Sequence, residues 1–234
     1  MKNILHASAP CVTEFIGVFF FVFIGAGSIL TAAYTGMTGG AALLQIAAAH
    51  GFAIAVMVAA TGAVSGGHLN PAVTLAMVLK REITFLKGLG YVGAQLVGGI
   101  FAALGLYGIA QMIQANGVAT AGAVAATNLG TPALGSGIDP AMAVLIEILL
   151  TAALVFVILR TAVEQKLSWA PLAIGLAVFV GVLMGGPFTG AAMNPARAFG
   201  PAVFSGQWEL HWIYWAGPMF GAVVGWFLNQ LCTA

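Results

Sequence analysis

Polar positions along this chain gather into a few short clusters, and long apolar stretches run between them. Six of these stretches cover about residues 11–34, 44–64, 89–114, 140–161, 169–186 and 211–232. A helix rises about 1.5 Å per residue and a bilayer core is about 30 Å thick, so each run predicts one spanning helix. Two further apolar stretches, about 70–80 and 194–204, are too short to span. As helices each would reach roughly halfway across.

Charge placement orients this pattern. Lys and Arg number seven, and six of them precede the first run or fall between runs two and three or four and five: Lys2, Lys80, Arg81, Lys87, Arg160 and Lys166. The opposite connections, about 35–43 and 115–139, hold none. Basic residues favour the cytoplasmic side, which predicts that both termini are cytoplasmic. Composition excludes a soluble globule. The chain is 61% hydrophobic and 6% charged, with a mean hydropathy of +1.05; soluble domains carry about 25% charged residues. The net charge of +1 gives no reason to expect a nucleic-acid partner. Cys11 and Cys232 stand near opposite ends of the chain, and no structural disulfide is expected. The stretch after Lys2 reads as a first span rather than a cleaved signal peptide.

The chain also repeats. Thr13-Glu14-Phe15 opens the first run and Ile146-Glu147-Ile148 the fourth. Asn70-Pro71-Ala72 opens one short stretch and Asn194-Pro195-Ala196 the other. Each half is three spans plus one short helix, and three is odd, so the halves must be inverted. The expected organisation is one domain over 1–234, with inverted repeats at about 1–115 and 138–234. Inverted repeats with interrupted helices mark transport proteins. Gly217, Gly221 and Gly225 recur every four residues, as at close helix interfaces.

Asn is a favoured N-cap, and Pro at the first helical position gives up an N–H that has no intrahelical partner. Each Asn-Pro-Ala therefore predicts a helix start. Two inverted half-helices would meet tip to tip, with both positive dipole ends at one spot. Amide donors from Asn70 and Asn194 would meet a water there and turn its hydrogens away, breaking a proton wire; the dipoles would oppose cations. Arg197 lies three residues after Asn194 and shares its helix face. A charge at that depth is expected to face a polar cavity and to be functional.

Ser65-Gly66-Gly67-His68-Leu69-Asn70-Pro71-Ala72-Val73-Thr74 and Met193-Asn194-Pro195-Ala196-Arg197-Ala198-Phe199-Gly200-Pro201 resemble the two signatures of the aquaporin, or major intrinsic protein, family. The resemblance covers essentially the whole chain. It implies an all-α membrane protein with six transmembrane helices and two re-entrant half-helices, assembled as homotetramers with one pore per subunit. Carried over position by position, the family's outer constriction falls on His50, Val182, Ala191 and Arg197. The set resembles the plant tonoplast intrinsic proteins, as does His211-Trp212-Ile213-Tyr214-Trp215-Ala216-Gly217-Pro218. That branch implies water plus ammonia, urea, hydrogen peroxide or glycerol.

The short side chains of Val182 and Ala191 suit small neutral solutes besides water, with ammonia foremost. The branch's ammonia-permeable members carry a further His in the third connecting loop, and residues 115–139 have none. Ala198, where glycerol channels have Asp, and Tyr214-Trp215, where they have Pro-Leu, argue against a specialised glycerol channel. Glu14 and Glu147 are expected to accept hydrogen bonds from the re-entrant loops, because buried polar groups need partners. His68 is expected to line the cytoplasmic end of the pore. His6 and His211 read as interfacial, without a role. No cofactor, metal or enzymatic activity is expected, since no nucleophile–base pair or metal-ligand spacing is present. A channel whose main solute is ammonia or glycerol rather than water, a coupled transporter, which also uses inverted repeats, and a non-conducting scaffold are the competing readings. The expected location is a cell membrane.

Overall fold

The computed structural model describes residues 2–233, and the side chains of residues 8–233. Lys2 and His6, named above, therefore have side chains outside the described residues. All regular structure among the described residues is helical. The helices are α1 (Lys2–Tyr34), α2 (Gly39–Ser65), α3 (Pro71–Leu79), α4 (Phe85–Ala115), α5 (Ala121–Ala125), α6 (Pro140–Ile158), α7 (Ala170–Thr189), α8 (Pro195–Ser205) and α9 (Ile213–Leu231).

Five of them are long and apolar enough to cross a membrane: α1, α2, α4, α6 with the turn that follows it, and α7. The sixth expected span forms α9, 19 residues long, whose Trp, Tyr, Asn and Gln make it less apolar than the others. The two short stretches form α3, of 9 residues, and α8, of 11. At about 1.5 Å per residue neither can cross a bilayer.

The packing repeats between the halves. α1 packs on α2 and α4 as α6 packs on α7 and α9. Each short helix lies against the last long helix of the other half, α3 on α9 and α8 on α4. α2 and α7 pack directly on each other across the middle. There Gly51 and Gly175 face one another so closely that a Cβ on Gly51 would lie 2.7 Å from the Gly175 carbonyl, and one on Gly175 would lie 2.4 Å from the Gly51 carbonyl. Glycine is required at both places because backbone meets backbone. Gly217, Gly221 and Gly225 do the same for α9 against α6, and Gly98 does so for α4 against Phe15 of α1.

Three local features differ from the sequence pattern. α7 continues through Gly185-Gly186-Pro187 to Thr189, so the second loop begins only at Gly190. Gly185 and Gly186 pack against Leu150, Ala191 and Leu43, which holds the helix together despite the N–H that Pro187 lacks. The connection 116–139 holds α5 and a 3-10 turn at Asn128–Gly130. α6 ends in a π turn, Leu159–Glu164, and Glu164 forms an ion pair with Lys80 at the end of α3 and accepts from Asn229 of α9. These contacts bring the C-terminal ends of α3, α6 and α9 to one basic end of the molecule.

Gly51→Val places methyl groups against the backbone of α7 and should cost about 3 kcal/mol, the upper range for overpacking. Thermal unfolding followed by size-exclusion chromatography in detergent is expected to show a clear fall in Tm.

Candidate functional site

The turns before α3 and α8 run in parallel: Ser65-Gly66-Gly67-His68-Leu69-Asn70 and Thr189-Gly190-Ala191-Ala192-Met193-Asn194. Gly66 and Gly190 end α2 and α7 in the left-handed region, at φ +93° and +77°. Leu69 and Met193 are left-handed too, at φ +51° each. That conformation costs a non-glycine residue about 1–2 kcal/mol. It turns each residue's N–H to one partner and its carbonyl to another.

The N–H partners are Glu14 and Glu147, both fully buried. Glu14 accepts from the Ser65 hydroxyl at 2.6 Å, from N–H of His68 at 3.0 Å and of Leu69 at 2.7 Å, and from the Gln95 amide at 2.7 Å. Glu147 accepts from the Thr189 hydroxyl at 2.7 Å and from N–H of Ala192 at 2.9 Å and of Met193 at 2.8 Å. Tyr91 and Tyr214 complete each turn by donating to the carbonyls of Ser65 and Thr189. A loop carried into the membrane cannot leave such groups unpaired.

The carbonyl partners are the two asparagines, crosswise. Asn70 Nδ2 donates to the Met193 carbonyl and Asn194 Nδ2 to the Leu69 carbonyl, each at 2.8 Å. Each Oδ1 caps its own helix, Asn70 from Ala72 N–H and Asn194 from Ala196 and Arg197 N–H. Pro71 and Pro195 hold the first helical positions. One N–H of each amide is thus committed to tying the loops together, and the other has no partner among the described residues. The sequence pointed to amide donors at this spot but not to the bonds that tie one loop to the other.

Both asparagines line a cavity of about 710 Å³. His68, Val178 and Phe21 also line it, and exposed Lys87 and Lys166 stand at its mouth, on the basic end. The lining stops short of His50, Val182, Ala191 and Arg197, all of which are buried.

His50 and Arg197 are brought together. Arg197 Nη1 donates to the Gly130 carbonyl at 2.7 Å, and Nη2 lies 3.4 Å from His50 Nε2. His50 Nδ1 lies 2.9 Å from the Ile46 carbonyl and must donate to it. Its proton is therefore on Nδ1, and Nε2 is free to accept from the guanidinium. Arg197 Nε has no partner among the described residues. Val182 and Ala191 pack against the Gly185–Gly186 segment, and no described contact joins either to His50 or Arg197.

Tyr91, Gln95, Thr189 and Gly130 were not singled out in the sequence, and Ser65, Thr74 and Tyr214 stood there only within motifs, without the contacts they make. Only the matched placement of Tyr91 and Tyr214 near the starts of α4 and α9 offered a signal. His211 proves to be packed among Trp208, Phe199 and Tyr214 and accepts from Trp215 Nε1. Burial there holds its imidazole below the ordinary value.

A membrane bundle with two half-helices tied nose to nose is the architecture of a channel. Residues 3–229 match the model of the family described as "Major intrinsic protein". The chain belongs to the major intrinsic protein, or aquaporin, family, whose members are channels and not enzymes. It is 43% identical over 223 residues to "Probable aquaporin TIP3-2" of Arabidopsis thaliana, covering 90% of this chain and 78% of that one. It is 41% identical over 225 residues to "Aquaporin TIP4-4" of Zea mays, covering 92% and 84%. Its fold matches the X-ray structure of the aquaglyceroporin from Plasmodium falciparum with a TM-score of 0.83, at 21% identity and 97% coverage of both chains.

Glu147→Leu strands three buried donors, each costing about 1–3 kcal/mol. We expect it to lower Tm much further than Glu147→Gln, which keeps one accepting oxygen, when thermal unfolding of both is compared in detergent.

Proposed function

We propose that the chain is a passive channel for water, and for small neutral solutes such as ammonia, urea, hydrogen peroxide or glycerol, that excludes protons and ions. The observation that carries this reading is the crossed Asn70–Asn194 pair on the wall of a cavity that reaches the basic side. Each amide keeps one N–H for a solute oxygen, and a water that accepts there cannot relay a proton along its file. The aquaporin names of the relatives support water as the solute.

In this reading His50, Val182, Ala191 and Arg197 form the selectivity filter, His68 lines the path on the basic side, and Glu14 and Glu147 hold the loops. Arg197 is a buried cation with no carboxylate in ion-pair contact among the described residues. A charge left so at membrane depth is best explained by work on what passes. The whole of 1–234 acts as one channel domain, with repeats at about 1–115 and 138–234, and assembles as a homotetramer with both termini cytoplasmic. The TIP-type names of the plant relatives weigh toward a tonoplast-like membrane over the cell membrane expected from the sequence. Microscopy of a tagged chain in its own cells distinguishes them.

Stopped-flow shrinkage of proteoliposomes tests the reading. Water flux well above lipid alone is expected; flux equal to lipid alone refutes it. Arg197→Val is expected to raise proton or cation leak, read with a pH-sensitive or potential-sensitive dye, and unchanged leak removes Arg197 from the barrier. His50→Phe adds bulk beside the guanidinium and is expected to cut ammonia or urea flux more than water flux. Equal loss of both would place the constriction elsewhere.

A further inference from the structure

The loop-holding parts are present twice, but one cluster beside them is present once. Gln95 Nε2 donates to Glu14 Oε2 at 2.7 Å and to Thr74 Oγ1 at 2.9 Å. Thr74 Oγ1 lies 3.2 Å from His68 Nδ1. All three residues are buried. In the second half the matching positions are Pro218, Ala198 and Ala192, counted from the tyrosine and asparagine pairs. All three polar residues are replaced together, yet the second loop is folded in the same way. Building the loop therefore does not require them.

We propose that Gln95 and Thr74 form a directed hydrogen-bond relay that fixes the proton of His68 on Nε2 and presents that N–H to the cavity as a permanent donor. Direction follows from Glu14, which backbone N–H groups already oblige to accept. Turning the Gln95 amide over would set its oxygen against the carboxylate, so both of its N–H groups point to Glu14 and Thr74, and Oε1 is left without a partner among the described residues. Thr74 accepts from Gln95 and has one hydrogen of its own. If His68 Nδ1 carried a proton, that buried hydroxyl hydrogen would have no acceptor. With Nδ1 bare, Thr74 donates to it and every hydrogen in the chain is used. The proton then belongs on Nε2, which lies over Gly66 on the cavity wall. The ring also packs T-shaped on Tyr91, with centroids 5.1 Å apart.

The consequence rests on the channel reading above. His68 meets each passing solute at its oxygen, as the asparagines do further in, so waters are oriented before they reach the centre. A histidine free to change tautomer would present a donor and an acceptor by turns and lose that orientation. Gln95 and Thr74 are positioning residues acting through His68.

The test uses the full chain, labelled with 13C and 15N histidine and reconstituted in lipid bilayers. Solid-state NMR reports which ring nitrogen of His68 is protonated, its signals being assigned by their loss in His68→Asn. Wild type is expected to show one species, protonated at Nε2 with Nδ1 accepting. Thr74→Val should give mixed tautomers, Thr74→Ser should restore the single one, and water permeability of Thr74→Val should fall about threefold, the size of one lost hydrogen bond. Protonation at Nδ1 in wild type overturns the relay, even if Thr74→Val does not fold. An unchanged spectrum in Thr74→Val overturns it as well. Absence of water flux in wild type would strike the channel reading instead, leaving the tautomer result to judge the relay alone.

Discussion

Everything in this fold depends on ending two helices inside the membrane. The backbone that leads into α3 and α8 carries N–H groups with no helical partner, and hydrocarbon offers none. Each such group left bare would cost about 1–3 kcal/mol or more. The solution is a buried carboxylate under each turn. Glu14 and Glu147 between them take four backbone N–H groups and two hydroxyls. Two carboxylates without basic partners are tolerable at this depth because each is saturated with donors.

The rest of the bundle follows from that requirement. The carboxylates lie on α1 and α6, so those helices must pack tightly against α4 and α9, which supply the tyrosines that brace the same turns. Glycines at the α1–α4 and α6–α9 contacts bring backbones close enough for this. Left-handed Leu69 and Met193 then direct their carbonyls inward, where only the opposite asparagine can reach them. The strain in each turn is offset by bonds made to both halves, so neither half-helix can be placed without the other.

Much of this was legible in the sequence, for identifiable reasons. Spanning length, half-length stretches and the paired Asn-Pro-Ala tripeptides are local patterns, and local patterns survive without knowledge of packing. Ser65, Thr189, Tyr91 and Tyr214 were not legible, because a serine or tyrosine in an apolar run carries no mark of what it reaches across the bundle. The end of α7 was misjudged from composition: the fifth run was expected to stop at about 186, and packing carries the helix through Pro187 to Thr189. The crossed asparagine bonds were missed because they join residues more than a hundred positions apart. Arg197 and His50 were both visible as polar residues in apolar surroundings, but that Gly130 holds the guanidinium could not be read from a loop of small residues.

Duplication sets a limit on what symmetry can explain. Two identical halves would give a pore with identical ends, and such a pore could hold its loops but not treat its two sides differently. The departures from symmetry fall at different depths. On one side Arg197, with no charged counterpart in the first half, pairs with His50 beyond the reach of the open cavity. On the other, His68 stands on the cavity wall where the second half has only Ala192. Structure common to both halves therefore belongs to the problem of ending helices in a membrane. The polar residues that break the repeat are where the proposed selection of solutes must be sought, because each half ends its helix without the extra residues of the other.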